Sequence, residues 1–173
     1  MFGLFKAKTF DLEPLEFDVT VDVDAPAERV YALIDWADPG NAKRELGNHV
    51  EALDPSGTRF LLIMTAMPDL RFEMTVSDAD RPRSYAFTTE ITPPIGRLDW
   101  SKEHYTVEPV GPDTCKLRQT VTVKFNDGLT MRQAEEELAK MHAACTSAIV
   151  KLKVHAEQGA QTVAEFERQQ FGG

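Results

Sequence analysis

The sequence predicts an α+β domain. A curved antiparallel sheet of about seven strands should wrap one long C-terminal helix and leave an apolar cavity between them. Three observations predict it. A strand of period two runs straight into a short amphipathic helix near the start of the chain. Six strand-like segments then follow at hairpin spacing, with no helix between them of the kind a parallel sheet needs. The last third switches to a single long helical period.

Phe17, Val19, Val21 and Val23 alternate with Asp18, Thr20, Asp22 and Asp24, which places the first strand over Glu16 to Val23. Val30, Leu33, Ile34 and Ala37 sit at i, i+3, i+4 and i+7, so a helix runs from Pro26 to Trp36. Asp24 or Ala25 is placed to cap it, with Pro26 in the first turn, where a missing N–H costs nothing. Ala37 to Asn41 is turn chemistry, and Ala42 to Leu46 fits one short helical turn. Strands follow over His49–Leu53, Thr58–Thr65, Arg71–Ser77, Ser84–Ile91, Trp100–Pro109 and Thr114–Phe125. Asp54-Pro55-Ser56-Gly57 and Gly111-Pro112-Asp113 turn the chain between them, and Thr92-Pro93-Pro94-Ile95-Gly96 makes a longer loop. Thr130 and Gln133 have capping-box spacing, and Leu138, Met141, Cys145, Ala148 and Leu152 then step along one face of a helix of about 26 residues. Gly159 ends or kinks it. Val163, Phe166 and Phe171 suggest a short tail helix. The divisions are an arm over 1–14, the domain over 15–158 and a tail over 159–173.

Composition narrows the function classes. Hydrophobic residues are 42% and charged residues 27% of the chain, as in an ordinary globular domain. A net charge of −9 argues against nucleic acid and against anionic membrane surfaces, since both attract clustered Lys and Arg. No window approaches the apolar length of a membrane span, and Met1 to Lys8 lacks the apolar core of a signal peptide. Cys115 and Cys145 read as buried reduced thiols, and the expected location is the cytoplasm. The four histidines form no i, i+4 pair and there is no Cys-x-x-Cys, so no metal is expected. Glycine loops that cradle phosphate and the Gly-x-Ser-x-Gly elbow are absent, and no cofactor is expected.

Alternation assigns faces. Arg71, Glu73, Lys116 and Arg118 should point outward, which turns Phe72, Met74, Tyr85, Phe87, Cys115, Leu117 and Gln119 toward the cavity. On the strand from Trp100 to Pro109, placing Tyr105 and Val107 inward also turns Glu103 inward and His104 outward. Gln119 is an amide on an apolar face and, if buried, must find a partner or a water. Leu138 and Cys145 bring the helix to the cavity. His142, at the edge of their stripe, is placed either as a half-exposed residue or as a donor or base at the cavity mouth. Glu103 and His142 are the candidate acid–base residues.

The order of elements and four stretches resemble the START/Bet v1-like (SRPBCC) superfamily, and within it the polyketide cyclase/dehydrase and lipid-transport families. The stretches are Val21 to Ile34 at the strand–helix junction, Asp80-Arg81-Pro82-Arg83-Ser84-Tyr85, Tyr105 to Thr114, and the stripe Leu138, Met141, Cys145, Ile149 and Leu152. The chain departs from the common pattern at Asn41-Ala42-Lys43-Arg44, where Trp-Pro is frequent, and at Asp113-Thr114, where Gly-Thr is usual. The resemblance implies a helix-grip fold. It implies binding of a small hydrophobic or amphipathic molecule, a lipid, isoprenoid or aromatic polyketide, with Tyr105, Gln119 and His142 orienting its polar end. The alternatives are an aromatase/cyclase or dehydrase, or a protein-interaction domain with a collapsed cavity whose exposed sheet or tail, including Phe166 and Phe171, is the interface. The expected assembly is a monomer or homodimer.

Overall fold

The hairpin-spaced segments form one continuous antiparallel sheet. The structure is a computed structural model that describes residues 7–171, with side chains as far as Gln169. The strands are β1 (Leu15–Val23), β2 (His49–Ala52), β3 (Arg59–Met64), β4 (Met67–Asp80), β5 (Ser84–Thr92), β6 (Leu98–Gly111) and β7 (Thr114–Phe125). The helices are α1 (Ala27–Ile34), α2 (Ala42–Glu45), α3 (Met131–Gln158) and α4 (Ala160–Phe171). The sheet order is β1-β7-β6-β5-β4-β3-β2. β2 to β7 are therefore joined as successive hairpins, while β1 and β2 lie at opposite edges. The chain between those two edges must cross the sheet, and it carries α1 and α2 with it.

Apolar residues on the inner face make two cores. Tyr31, Phe60, Tyr85, Leu117 and Ile149 belong to the first, between the sheet, α1 and the C-terminal half of α3. Its aromatic rings meet edge to face, Tyr31 on Tyr85 at 5.8 Å and Trp36 on Phe87 at 5.4 Å. Val121, Val123, Phe125, Leu129, Ala134 and Cys145 form the second, under the N-terminal half of α3. Leu12 packs on this second core, and the Phe10 N–H donates to the Leu129 carbonyl at 2.9 Å, so the described part of the arm is docked.

Two local details depart from expectation. Pro26 itself takes the N-cap position of α1 without a side-chain bond, while the Asp24 N–H donates to Glu157 at 2.8 Å. Asp24 is thereby used to tie the strand end to α3 rather than to cap. Strands β4 and β6 each run 14 residues, longer than their apolar alternation. Beyond the core no face is buried, so the pattern fades while ladder bonding continues. The α3 start matches its sequence signal: the Gln133 N–H donates to Thr130 Oγ1 at 3.3 Å, and the Thr130 N–H donates to Gln133 Oε1 at 3.0 Å. Gly159 at φ +90° ends the helix in a conformation that L side chains rarely adopt. Cys115 and Cys145 are both buried free thiols. No helix among the described residues is long and apolar enough to cross a membrane.

Candidate functional site

A cavity of about 310 Å³ opens between the sheet, α2 and the C-terminal half of α3. Leu62, Met64, Phe72, Met74, Phe87 and Thr89 form its sheet wall, from β3, β4 and β5. Its helical wall comes from Lys43 of α2 and from Ala144, Ser147, Ala148, Lys151, Leu152 and His155 of α3, with Trp36 added from the turn after α1. Those α3 positions are spaced as one helical face. Three of them, Ala144, Ser147 and Ala148, are small, and the space they leave is the cavity. Val163 and Glu167 of α4 close one side, held by an ion pair from Lys151 to Glu167 at 2.9 Å.

At the sheet side sits a polar cluster fixed by strand register. Glu103 and Tyr105 are two apart on β6 and so share a face, and Tyr105 stands directly across the ladder from Gln119 on β7. The Tyr105 hydroxyl donates to Glu103 Oε2 at 2.8 Å. Gln119 Nε2 donates to the same oxygen at 2.8 Å and to the Tyr105 oxygen at 2.9 Å. Both hydrogen bonds to Glu103 among the described residues go to Oε2 and none to Oε1, and Glu103 and Tyr105 both line the cavity. Gln119 Oε1 is buried without a partner among those residues, a state that costs about 1–3 kcal/mol.

Burial governs the ionisation of this cluster. It raises the Glu103 pKa against the opposing donors Tyr105 and Gln119 and the charge of Lys43. Burial also pushes the Tyr105 hydroxyl well up, with the Glu103 charge adding to it. The Cys145 thiol is pushed up to about 12 by burial and then by Glu103. The Lys43 pKa is lowered by burial. The cavity lining therefore holds both an acid that keeps its proton unusually well and an amine that gives its proton up unusually easily.

The structure distributes the sequence-derived site residues over several places. Phe72, Met74, Phe87, Glu103 and Tyr105 line the cavity, and Gln119 backs it through its two bonds. Tyr85 and Leu117 lie in the first core, where the Tyr85 hydroxyl oxygen accepts from the Trp36 N–H at 3.1 Å. Leu138 and Cys145 pack in the second core. His142 is exposed, and its ring stands edge-on to Phe17 at 5.1 Å. It lies six residues from Ala148, about 120° round the helix, and so turns away from the cavity and from Glu103. Phe166 of the tail is 47% exposed, and the Phe171 side chain falls outside the described residues. Sequence reasoning did not find Lys43, Trp36, Ser147, Lys151 or Glu167. No group of metal-binding side chains occurs among the described residues.

A seven-stranded antiparallel sheet holding a long C-terminal helix defines the helix-grip class of START and Bet v1-like domains. Over residues 14–157 the chain matches the family described as Polyketide cyclase / dehydrase and lipid transport, and it belongs to that family. Among solved structures, the di-domain ARO/CYC BexL from the BE-7585A biosynthetic pathway is similar at 18% identity and a TM-score of 0.62, over 85% of this chain and 46% of BexL. The chain thus spans about half of that protein. XoxI from Bacillus cereus is similar at 13% identity and a TM-score of 0.60, over 82% of this chain and 94% of that one. Ara h 8.0201 is similar at 12% identity and a TM-score of 0.59, over 79% and 95%. At these identities the likeness is one of fold. No curated protein sequence matches the chain. The family match ends at Gln158's neighbour Glu157, so α4 lies beyond it.

Proposed function

We propose that the chain binds a small amphipathic molecule, an apolar ring system with a hydroxyl or carbonyl, in the cavity between sheet and α3. The observation that carries this reading is the Glu103–Tyr105–Gln119 cluster at the edge of a sheet wall that is apolar but for Thr89. Apolar burial supplies affinity, and a few placed polar groups fix orientation. Glu103 Oε1 is the acceptor offered to a ligand hydroxyl. Volume bounds the occupant. A cavity of 150 Å³ holds benzene, so about 310 Å³ suits roughly two to three fused rings or an isoprenoid of similar bulk. A diacyl lipid exceeds it.

A second reading follows from Glu103. A buried carboxyl with a raised pKa that faces the cavity fits general acid–base work on a folded polyketide-like substrate, with positioning supplied by the walls. The family description and the fold of BexL support that reading.

Native mass spectrometry of refolded protein with added 2-naphthol tests the binding reading. The expected result is uptake of one copy per chain. Absence of any bound copy at saturating 2-naphthol overturns it.

A further inference from the structure

Two residues that line the cavity carry a donor with no acceptor among the described residues. The Lys43 ammonium makes no hydrogen bond among the described residues; only the more distant charges of Glu167, Lys151 and Glu103 act on it. The Trp36 Nε1–H, on the same wall, is buried without a partner among those residues. Lys43 is held in place by its backbone. Its N–H donates to Asn41 Oδ1 at 3.0 Å, and its carbonyl accepts from Asn48 Nδ2 at 3.1 Å. Asn41 is 1% exposed and donates to the carbonyls of Leu33 and Asp35. The next residue, Arg44, is turned elsewhere, toward the carbonyls of Val50 and Trp36. The lysine is thus fixed at its root and makes no hydrogen bond at its tip among the described residues, beside a cavity whose lining includes the charged Glu103, Lys151 and Glu167.

Resting on the ligand-binding reading, we propose that Lys43 captures a carbonyl-bearing ligand as a reversible imine, with Glu103 handling the proton of the step. Burial lowers the Lys43 pKa and so favours the neutral amine that such chemistry needs. The amine nitrogen adds to the carbonyl carbon as the C=O π bond breaks onto oxygen, and one proton passes from the nitrogen to that oxygen to give the carbinolamine. Glu103 in its acid form donates a proton to the carbinolamine hydroxyl, the C–O bond breaks, and water leaves as the C=N bond forms. The Glu103 carboxylate then balances the protonated imine. Returning water reverses each step and releases the ligand, so no oxidant or reductant takes part. Tyr105 and Gln119 hold the Glu103 carboxyl in place throughout.

The test uses 2-naphthaldehyde with sodium cyanoborohydride, which turns an imine into a stable amine. Intact mass and peptide mapping should show one naphthylmethyl group per chain, on Lys43. The adduct should be lost in Lys43→Arg and Lys43→Met, with a cooperative melting transition showing that both variants fold. It should persist in Lys140→Met, where the lysine removed is exposed. Excess 2-naphthol should suppress it in the wild type. Labelling confined to other lysines, while wild type still takes up one 2-naphthol, overturns the role of Lys43 and leaves the cavity reading standing. Failure to take up either compound overturns both.

Discussion

The sheet wall of the cavity and its helical wall are built from different kinds of residue. The sheet wall is made of large side chains locked by register: Phe87 is 4% exposed, lies edge-on to Trp36 and stacks on Tyr105 at 6.2 Å. The α3 face opposite presents Ala144, Ser147 and Ala148, all accessible, between charged residues near the mouth. One wall therefore carries stability and holds Glu103 in place, while the other leaves room for a ligand. The lesson is that changes on the two walls should separate folding from binding.

The largest expected effect is on the sheet wall. Phe87→Ala should cost about 3–5 kcal/mol in urea denaturation, because neighbours pinned by the ladder cannot collapse into the hole. Asn41→Ala should cost about 1–3 kcal/mol in the same measurement, since it leaves the Lys43 N–H uncapped and removes both donors to Leu33 and Asp35. On the helical wall, Ala148→Phe should fill the cavity. It should weaken 2-naphthol binding at least about tenfold by calorimetry while moving stability by only about 0.5 kcal/mol.

A smaller effect tests the electrostatics of the sheet wall. The folded-state pKa of Glu103 lies above its ordinary value of 4.5. Below that value both states are protonated and no stability is lost. As pH rises, the unfolded chain ionises first, and the folded protein loses stability until pH passes the folded pKa. Melting temperatures of wild type and Glu103→Gln should therefore diverge in favour of the variant as pH rises from about 4 toward neutrality. A constant difference would contradict the buried placement. The smallest effect belongs to His142→Ala, which should leave 2-naphthol affinity within about 0.5 kcal/mol, because the ring is outside the cavity.

The same contrast explains what could be read from the chain. Period-two alternation shows which residues face in, so Phe72, Met74, Phe87 and the inward turn of Glu103 were legible from local pattern alone. The helical wall leaves no comparable trace. An apolar stripe marks where α3 packs, at Leu138, Cys145 and Ile149, and small residues beside that stripe carry no such signal. Lys43 lies on a four-residue helix whose position follows from β1 and β2 occupying opposite edges, a fact of topology that no local spacing records. Its stretch does stand out as a departure from the family pattern, at Asn41 to Arg44. Val163 was legible as part of a tail helix, but its closure of the cavity depends on the turn at Gly159.

The most direct test of the account is an amide and methyl chemical-shift map of the protein titrated with 2-naphthol. The account predicts saturable shifts that converge on Phe87, Glu103 and Tyr105 of the sheet and on Ala144 and Ala148 of α3. Shifts gathered instead around the exposed Phe166 of α4, with those five positions unmoved, would contradict it.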